Sequence, residues 1–303
     1  MRFWFWVFLL LTLSLGLLSR STEGADRPIV ILTSAPIDAY QQAEAGALAG
    51  LRPHRTVTYT LDGDPNRIPH VGDQLSLISP KAVIAIGSLA VMALKAHPVD
   101  APVIFCLVVD HTRALSLPRS WAISMHVPAE EAYQRIRQIL PKRRIGIPYD
   151  PKRTGRLVGD LVALFQNTSI QLVPIAVQSP VDLSPALFAA RARFDALWIV
   201  PDASFLDTIS VEYLLRYAAA EGLPLIGYSE GFTRSGALLS LVADYRDMGR
   251  QAAEVAERVA AGEEPPPIQH PRRVQTSLNL RIADRLGITV NPGLAALAER
   301  VYP

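Results

Sequence analysis

Small polar and aromatic residues stand in this sequence where short apolar runs end, and they are the residues best suited to chemistry. They are Thr33, Ser34, Gly87, Ser88, Asp110, Tyr149, Asp150, Asp202, Ser204, Tyr228 and Glu230. Such a set supplies fixed dipoles, a few charges and aromatic surface, but no proton-transfer pair. It therefore predicts binding of a small molecule rather than catalysis, with all of these residues as candidate ligand contacts.

The segment Phe194–Ser204 shows how such residues are positioned. Its apolar middle is short, continuous and β-branched, which is typical of a strand buried on both faces of a parallel sheet. It then breaks within one proline into Asp202, Ala203 and Ser204. The same shape recurs at Ile29–Ser34, Ala82–Ser88, Val103–Asp110, Ile145–Asp150 and Pro224–Glu230. Because ligands bind beyond the carboxyl ends of strands in open α/β sheets, this repetition predicts a cleft.

Two of these strand ends carry specific expectations. Gly87 and Ser88 lie between a strand end and a helix start, so their backbone N–H groups could receive an anion such as a carboxylate. The alternative is an ordinary helix cap by Ser88. Asp202 is the best candidate to bind a ligand ammonium group, and its alternative role is to cap the turn that follows. Thr33 and Ser34 end the first strand in an equivalent way.

Tyrosines and acids occupy the same kind of position on other strands. Tyr149 and Asp150 end one strand, and Tyr228 and Glu230 follow another. An aromatic ring at such a place can cover an apolar or cationic part of a ligand. The alternative is a tyrosine that is simply exposed at the end of a strand.

Length and composition indicate a globular protein. A chain of 303 residues is long enough for two compact lobes, and half of its residues are hydrophobic. The formal net charge is +2 and the basic residues are scattered, so nucleic-acid binding has no support. The one cysteine, Cys106, lies within the apolar run Val103–Leu107 and is interpreted as a small buried hydrophobe.

Motifs for catalysis and cofactor binding are absent from the sequence. The six histidines include no close pair of the His-x-x-x-His kind that would bind a metal. No Gly-x-Ser-x-Gly elbow and no glycine-rich phosphate loop follows a strand. His111 is adjacent to Asp110, but neighbours on an extended chain point opposite ways. We therefore expect no enzyme activity, no cofactor and no metal.

The N-terminus has the features of a secretory signal peptide. Arg2 precedes the apolar run Phe3–Leu18, and the small-residue segment Ser19–Ala25 follows it. The run is shorter than the ~20 residues that a membrane-spanning helix prefers. We expect residues 1–25 to be removed and the protein to be exported to the periplasm; an uncleaved anchor is the alternative. No cysteine follows the run, so we expect no lipid anchor.

Strand and helix patterns alternate along the chain and restart near residue 126. The predicted elements include strands over Val103–Val109 and Ala237–Leu241 and a helix over Val211–Glu221. Two successive β-α-β series of this kind predict an α/β fold. Its architecture would be two doubly wound, parallel-sheet lobes with a ligand cleft between them.

An ordered set of segments carries a family resemblance: Leu140–Ile147, Phe194–Ser204, Gly222–Glu230, Gly236–Ser240, Asp244–Tyr245, Gly249–Ala253 and Leu278–Ile288. With them the chain resembles bacterial ABC-transporter substrate-binding proteins of the type I periplasmic fold, in the branch that includes tryptophan/tyrosine-type binding proteins. In the first half, Ala85–Ala90 and Ala101–Phe105 are similar to the family's helix start and next strand. After Asp110 the chain departs from the family, with Ala114–Ser116 and Trp121–Ser124 in loops that help to line the cleft.

The resemblance implies discontinuous lobes, one of residues 26–125 with 242–264 and the other of residues 126–241 with 265–303. It implies the exported solute-binding component of an ABC importer, which closes by a hinge on an amino-acid-like zwitterion and delivers it to an inner-membrane permease. In this family an acid at the position of Asp202 is usual, and Asp244–Tyr245 would lie at the last hinge crossing. We expect a monomer whose partners are a small-molecule ligand and the permease, with no nucleic acid.

Two other classes of protein share the two-lobed fold. A periplasmic sensor would present its ligand-bound state to a membrane receptor, and genes for a kinase or cyclase next to its own would distinguish it from an importer component. A ligand-responsive repressor would act in the cytoplasm. The predicted signal peptide and the lack of an N-terminal helix-turn-helix argue against the repressor.

Overall fold

The computed structural model describes residues 27–109, 115–141, 143–205 and 207–303. The predicted signal peptide and Asp110 lie outside these residues. The strands are β1 Ile29–Thr33, β2 Thr56–Thr60, β3 Ala82–Ile86, β4 Val103–Cys106, β5 Ser120–Ile123, β6 Arg144–Tyr149, β7 Gln171–Ala176, β8 Ala196–Trp198, β9 Leu225–Gly227, β10 Leu239–Ala243, β11 Ile268–Gln269, β12 Val274–Asn279 and β13 Arg300–Tyr302.

The helices alternate with these strands. They are α1 Asp38–Gly50, α2 Ile68–Ser76, α3 Ser88–Ala96, α4 Ala129–Ile139, α5 Gly155–Phe165, α6 Leu183–Ala190, α7 Thr208–Ala220, α8 Glu230–Arg234, α9 Tyr245–Ala260, α10 Leu280–Arg285 and α11 Pro292–Leu297. Within the described residues, none of these helices combines the length and the apolar character needed to cross a membrane.

The first sheet has six strands in the order β11-β5-β4-β3-β1-β2, and every pairing in it is parallel. β1 and β3 are buried at all of their positions, in agreement with their continuous apolar sequences. One face of the sheet packs against α1 and α9, and the other packs against α2 and α3. Helices on both faces make this half doubly wound, as predicted.

The second sheet has seven strands in the order β13-β12-β10-β9-β8-β6-β7. Its pairings are parallel except between β10 and β12, which run antiparallel. Helices α4 and α5 cover one face, and α6, α7 and α8 cover the other. The predicted fold class, two doubly wound parallel-sheet units, is therefore confirmed, with the edge pair β12 and β13 running antiparallel to the rest of the second sheet.

Helix α9 ties the second half of the chain back to the first sheet. Its N-terminus is capped by Asp244, whose side chain accepts a hydrogen bond from Asp247 N–H at 2.9 Å. Its buried face packs against α1 so closely that a Cβ on Gly249 would overlap the Ala43 carbonyl oxygen. A Cβ on Gly46 would meet the backbone of α9 in the same way. Glycines at these two positions let the helix backbones touch.

The chain passes between the two sheets three times. It leaves the first sheet after β5, returns between β10 and α9, and leaves again after β11. The division into lobes stays a prediction, but sheet membership differs from it at two places. β11 pairs with β5 and so belongs to the first sheet, which places the third crossing after Gln269 rather than near residue 265. β10 stays in the second sheet through Ala243.

Three predicted elements differ from the structure at their ends. The strand predicted over Val103–Val109 ends with β4, because Leu107 has a φ of +56° that breaks the extended backbone. β10 lies further along the chain than the predicted Ala237–Leu241. The helix predicted over Val211–Glu221 begins earlier, because the Asp207 side chain caps it.

Candidate functional site

The end of β1 uses its hydroxyl groups inside the first sheet unit. Ser34 Oγ accepts a hydrogen bond from Ala90 N–H at 2.9 Å, which caps α3 from a neighbouring strand. Thr33 Oγ1 donates to Glu44 Oε2 at 3.0 Å. Both residues are buried. Ser34 thus fills the capping role that was considered for Ser88, and both hydroxyl groups are buried and form hydrogen bonds within the first sheet unit.

Gly87 and Ser88 form the turn between β3 and α3. Gly87 has a φ of +87°, and a Cβ there would lie 2.6 Å from Ser34 Oγ and 2.7 Å from Tyr40 Cζ, so only glycine fits. Ser88 is exposed, and its side chain does not cap the helix. Among the described residues, no acceptor pairs with the backbone N–H groups of Ser88 and Leu89. These amides and the helix dipole make a place for an anion.

Asp202, at the end of the β8 segment, is fully buried, with no exposed surface. Its Oδ1 accepts a hydrogen bond from Ser204 N–H at 2.9 Å. Its Oδ2 accepts from Asp150 N–H at 2.8 Å and from Thr154 Oγ1. Both carboxylate oxygens are therefore used within the second sheet unit. The sequence suggested two roles for Asp202, binding a ligand ammonium group or capping the following turn. This arrangement matches the capping role.

Asp150 lies beside Asp202, and both of its carboxylate oxygens also accept hydrogen bonds within the second sheet unit. Its Oδ1 accepts from Lys152 N–H at 2.9 Å, and its Oδ2 accepts from Ser204 Oγ at 2.6 Å. Arg153 Nε stands 3.5 Å from Oδ2. Burial raises the pKa of Asp150, but these hydrogen bonds and the nearby positive charges outweigh burial and hold the pKa below its usual value. The pair locks the ends of β6 and β8 together.

Three tyrosines from different elements converge on the region where the chain crosses between the sheets. Tyr40 lies over Gly87, and Tyr40 and Tyr245 both pack with Met125 on the same core cluster of the first sheet. Tyr228, from the second sheet, lines a cavity together with Met125. The three phenols are at least partly exposed. Tyr228 was predicted as a ligand contact, whereas Tyr40 was missed and Tyr245 was assigned to the hinge.

Burial governs the electrostatics of these phenols. It is the largest cause that raises the pKa of Tyr245, to about 12, and the carboxylates of Glu230 and Asp38 raise it further. Burial also raises the pKa of Tyr40 and the pKa of Tyr228. The neighbouring Tyr245 raises the pKa of Tyr228 further. The phenols are consequently neutral at physiological pH. They offer aromatic faces and hydroxyl groups, but no charge.

The cavity beside Tyr228 has a volume of about 20 Å³ and an apolar lining. Its walls are formed by Met125, His126, Val127, Leu157, Leu161, Trp198, Val200, Pro201, Tyr228 and Leu241. His126 Nε2 lies 3.1 Å from the Pro201 carbonyl oxygen. This contact connects the segment after β5, where the chain first crosses between the sheets, to the segment after β8. A cavity of this size holds about one water molecule or one methyl group.

The remaining predicted residues lie around this region. Tyr149 is half-buried and packs against the core that α4 and α5 cover. Glu230 begins α8, and its Oε1 accepts a hydrogen bond from Tyr302 Oη at 2.5 Å, with Arg300 Nε at 3.9 Å. This bond is the largest cause that raises the pKa of Tyr302. Within the described residues, no group of three or more side chains is arranged to hold a metal ion.

The sequence profile of the ABC transporter substrate binding protein family matches residues 50–302. The chain belongs to this family. Its members are substrate-binding proteins, not enzymes, in agreement with the missing catalytic motifs. The resemblance stated from the ordered segments of the sequence is thereby confirmed.

Solved structures of low sequence identity share the fold. One, a domain in complex with L-Trp from Streptococcus pneumonia, is 21% identical with a TM-score of 0.63, and the match covers 90% of this chain and 99% of that one. A ligand-free, open substrate-binding protein with adhesive properties from Clostridium difficile is 16% identical with a TM-score of 0.67, over 91% and 98% of the two chains. At these identities the likeness shows the fold alone.

Among characterised proteins, the chain is similar to a tyrosine-binding protein from Clostridioides difficile strain R20291. It is 22% identical over 173 residues, which make up 54% of this chain and 50% of that protein. The chain thus spans about half the length of the curated relative it matches. What these relatives bind is a property of those proteins.

Proposed function

We propose that this substrate-binding protein is the exported solute-binding component of an ABC importer and that its ligand is an amino-acid-like zwitterion. The observation that carries the proposal is a series of neighbouring groups that runs from the start of α3 to the end of β9. Among the described residues, the Ser88 and Leu89 amides have no acceptor, and Tyr40 lies against Gly87 beside them. Tyr245 interacts electrostatically with Tyr40 and with Tyr228 on the second sheet. The amides suit a carboxylate, and the tyrosines suit an apolar or cationic part.

The carboxylate would lie at the N-terminus of α3. Ser88 N–H and Leu89 N–H have no acceptor among the described residues, while Ser34 already satisfies Ala90 N–H. These backbone amides carry no charge, but they can donate hydrogen bonds to an anion, and the helix dipole adds to the attraction. Closure of the two sheet units about the three crossings would bring Tyr228 over the same ligand.

Export and a permease partner are part of the proposal. The apolar run Phe3–Leu18 after Arg2 supports export to the periplasm through a signal peptide. Membership in the ABC substrate-binding family supports delivery to an inner-membrane permease. One similar structure is a complex with L-Trp, and one similar protein is named a tyrosine-binding protein. Aromatic amino acids are therefore the first ligands to test. We expect the protein to act as a monomer.

Thermal unfolding in the presence of amino acids tests the proposal. A ligand that binds only the folded state should raise the free energy of unfolding by about 2.7 kcal/mol at 100 times its Kd. The panel should include tryptophan, tyrosine, aliphatic amino acids, short peptides and sugars. A shift confined to zwitterions would support the proposal. A shift with sugars alone, or with no compound at all, would refute the ligand class.

A further inference from the structure

The carboxylates of Asp202 and Asp150 are both closed to a ligand ammonium group. Asp202 has no exposed surface, and both of its oxygens accept hydrogen bonds from its own sheet unit. Asp150 is 5% exposed and is equally engaged. Opening either carboxylate to a ligand would break hydrogen bonds between the ends of β6 and β8. That cost makes both of them poor ammonium receptors.

The side chain of Glu230 is more exposed, but its carboxylate already has partners on β13. Tyr302 Oη donates to its Oε1 at 2.5 Å, and Arg300 approaches the same oxygen at 3.9 Å. Both partners come from β13, the edge strand of the second sheet. The side chain of Glu230 is therefore directed toward β13, with a positive charge already beside it.

The three phenols present a different kind of cation site. Tyr40 on α1 lies against Gly87 at the start of α3. Tyr245, at the start of α9, interacts electrostatically with both Tyr40 and Tyr228, so the three phenols from different elements are neighbours. Among the described residues, the carboxylates of Glu230 and Asp38 contribute to the raised pKa of Tyr245, and no basic side chain contributes to the raised pKa of any of the three phenols. The aromatic faces of the phenols themselves attract cations.

The apolar surroundings favour a particular kind of cation. A primary ammonium is strongly hydrated and needs several acceptors, which neutral phenol hydroxyls replace poorly. An N-methylated ammonium has no such need, and its methyl groups can contact aromatic faces and apolar walls. The cavity of about 20 Å³ beside Tyr228, lined by Met125, Trp198 and Leu241, has room for one methyl group.

We propose that Tyr40, Tyr228 and Tyr245 hold the cationic group of the ligand by their aromatic faces, and that the protein accepts zwitterions with a methylated or quaternary ammonium. This inference rests on the proposed function and names the ligand class more closely. The carboxylate of such a ligand would stay at the α3 N-terminus. The methylated ammonium would lie among the phenols, without an ion pair to Asp202.

The test compares matched ligands by isothermal titration calorimetry. The probes are glycine and glycine betaine, and L-tryptophan and its N,N,N-trimethyl betaine. The protein is recovered from cells that express the full chain. We expect the trimethylated member of a pair to bind at least as tightly as its parent. A carboxylate site would give the opposite order, because trimethylation removes every N–H donor.

Variants locate the site. Tyr245→Leu should weaken binding of the trimethylated ligand about 10-fold, because it removes one aromatic face, whereas Tyr245→Phe should retain most of the affinity. Tyr228→Leu is a second variant in case Tyr245→Leu does not fold. The control is Tyr213→Leu on α7, where Tyr213 stacks on Tyr217 at 6.0 Å, and its affinity should equal that of the wild type.

The outcomes separate this inference from the proposed function. If the parent amino acids bind and the trimethylated ones bind more than 10-fold more weakly, the inference is overturned and the proposed function stands. Equal losses in Tyr245→Phe and Tyr245→Leu would also overturn the inference, because the hydroxyl rather than the ring would matter. If no member of either series binds, the inference is overturned, and the proposed function is then decided by the wider thermal-unfolding panel.

Discussion

Replacing Ser88 by proline removes the backbone N–H that donates to the proposed carboxylate, together with the side-chain hydroxyl. Ser88 is the first residue of α3, where proline is tolerated because that N–H has no partner in the helix. The residue before it, Gly87, has a ψ of 168°, far from the helical ψ values that clash with a following proline ring. Ser88 is exposed, so the substitution creates no cavity. We expect the free energy of unfolding to change by less than about 1 kcal/mol.

The effect on ligand binding should be much larger. A hydrogen bond to a charged group contributes about 1.5–3 kcal/mol, so losing the Ser88 N–H should raise the Kd about 10- to 150-fold. Ser88→Ala is the matched control, because it removes the hydroxyl but keeps the N–H. Its Kd should stay within about 3-fold of the wild type, since the hydroxyl makes no cap.

Isothermal titration with the best zwitterion of the panel measures both variants. The same titration with the carboxamide of that ligand completes a double-mutant cycle. The loss caused by Ser88→Pro should shrink when the ligand carries no carboxylate, since the N–H then faces a neutral oxygen. Wild-type affinity in Ser88→Pro, together with an unchanged melting temperature, would show that the carboxylate does not lie at α3.

Three further predictions concern the fold. Gly249→Ala should lower the free energy of unfolding in urea by about 1–3 kcal/mol, because its Cβ would overlap Ala43; Gly159→Ala in α5, with open space around it, should instead raise that free energy by up to about 1 kcal/mol. Asp150 has a folded-state pKa below its unfolded value, so its contribution is present above about pH 4 and disappears as the pH falls through the folded pKa. Urea unfolding at several pH values should therefore show Asp150→Asn destabilised at pH 7, with the difference from wild type narrowing below about pH 4; a constant difference would contradict this. Cys106 is buried and burial raises its pKa to about 12, so a thiol reagent should label it only after unfolding, as mass spectrometry would show.

The sequence allowed most of the fold to be predicted because its central strands are continuous apolar runs. β1 and β3 are buried on both faces, and nothing polar interrupts them. The short edge strands carry no such pattern: β11 has two residues, and β13 has three, of which two are exposed. The antiparallel direction of β12 depends on where the chain re-enters the second sheet, which no local pattern specifies.

The candidate site was less predictable because its contacts are distant in sequence. Asp202 was correctly placed at a strand end, but its partners Asp150 and Thr154 lie about fifty positions earlier in the chain. Their hydrogen bonds decide whether its carboxylate is open. Tyr40 lies within the first turn of a helix rather than at a strand end, so the pattern that identified the other tyrosines could not find it.

The contact between α1 and α9 has a consequence for how the protein is made. The core that includes Ile29 and Ile84 is completed by Met248, Ala252 and Val259, which are synthesised far later. Until α9 has emerged, α1 alone covers that face of the first sheet, and the first unit cannot complete its native core. We therefore expect the first unit to finish folding only late in synthesis. That delay would suit passage through a narrow export channel before the first unit closes.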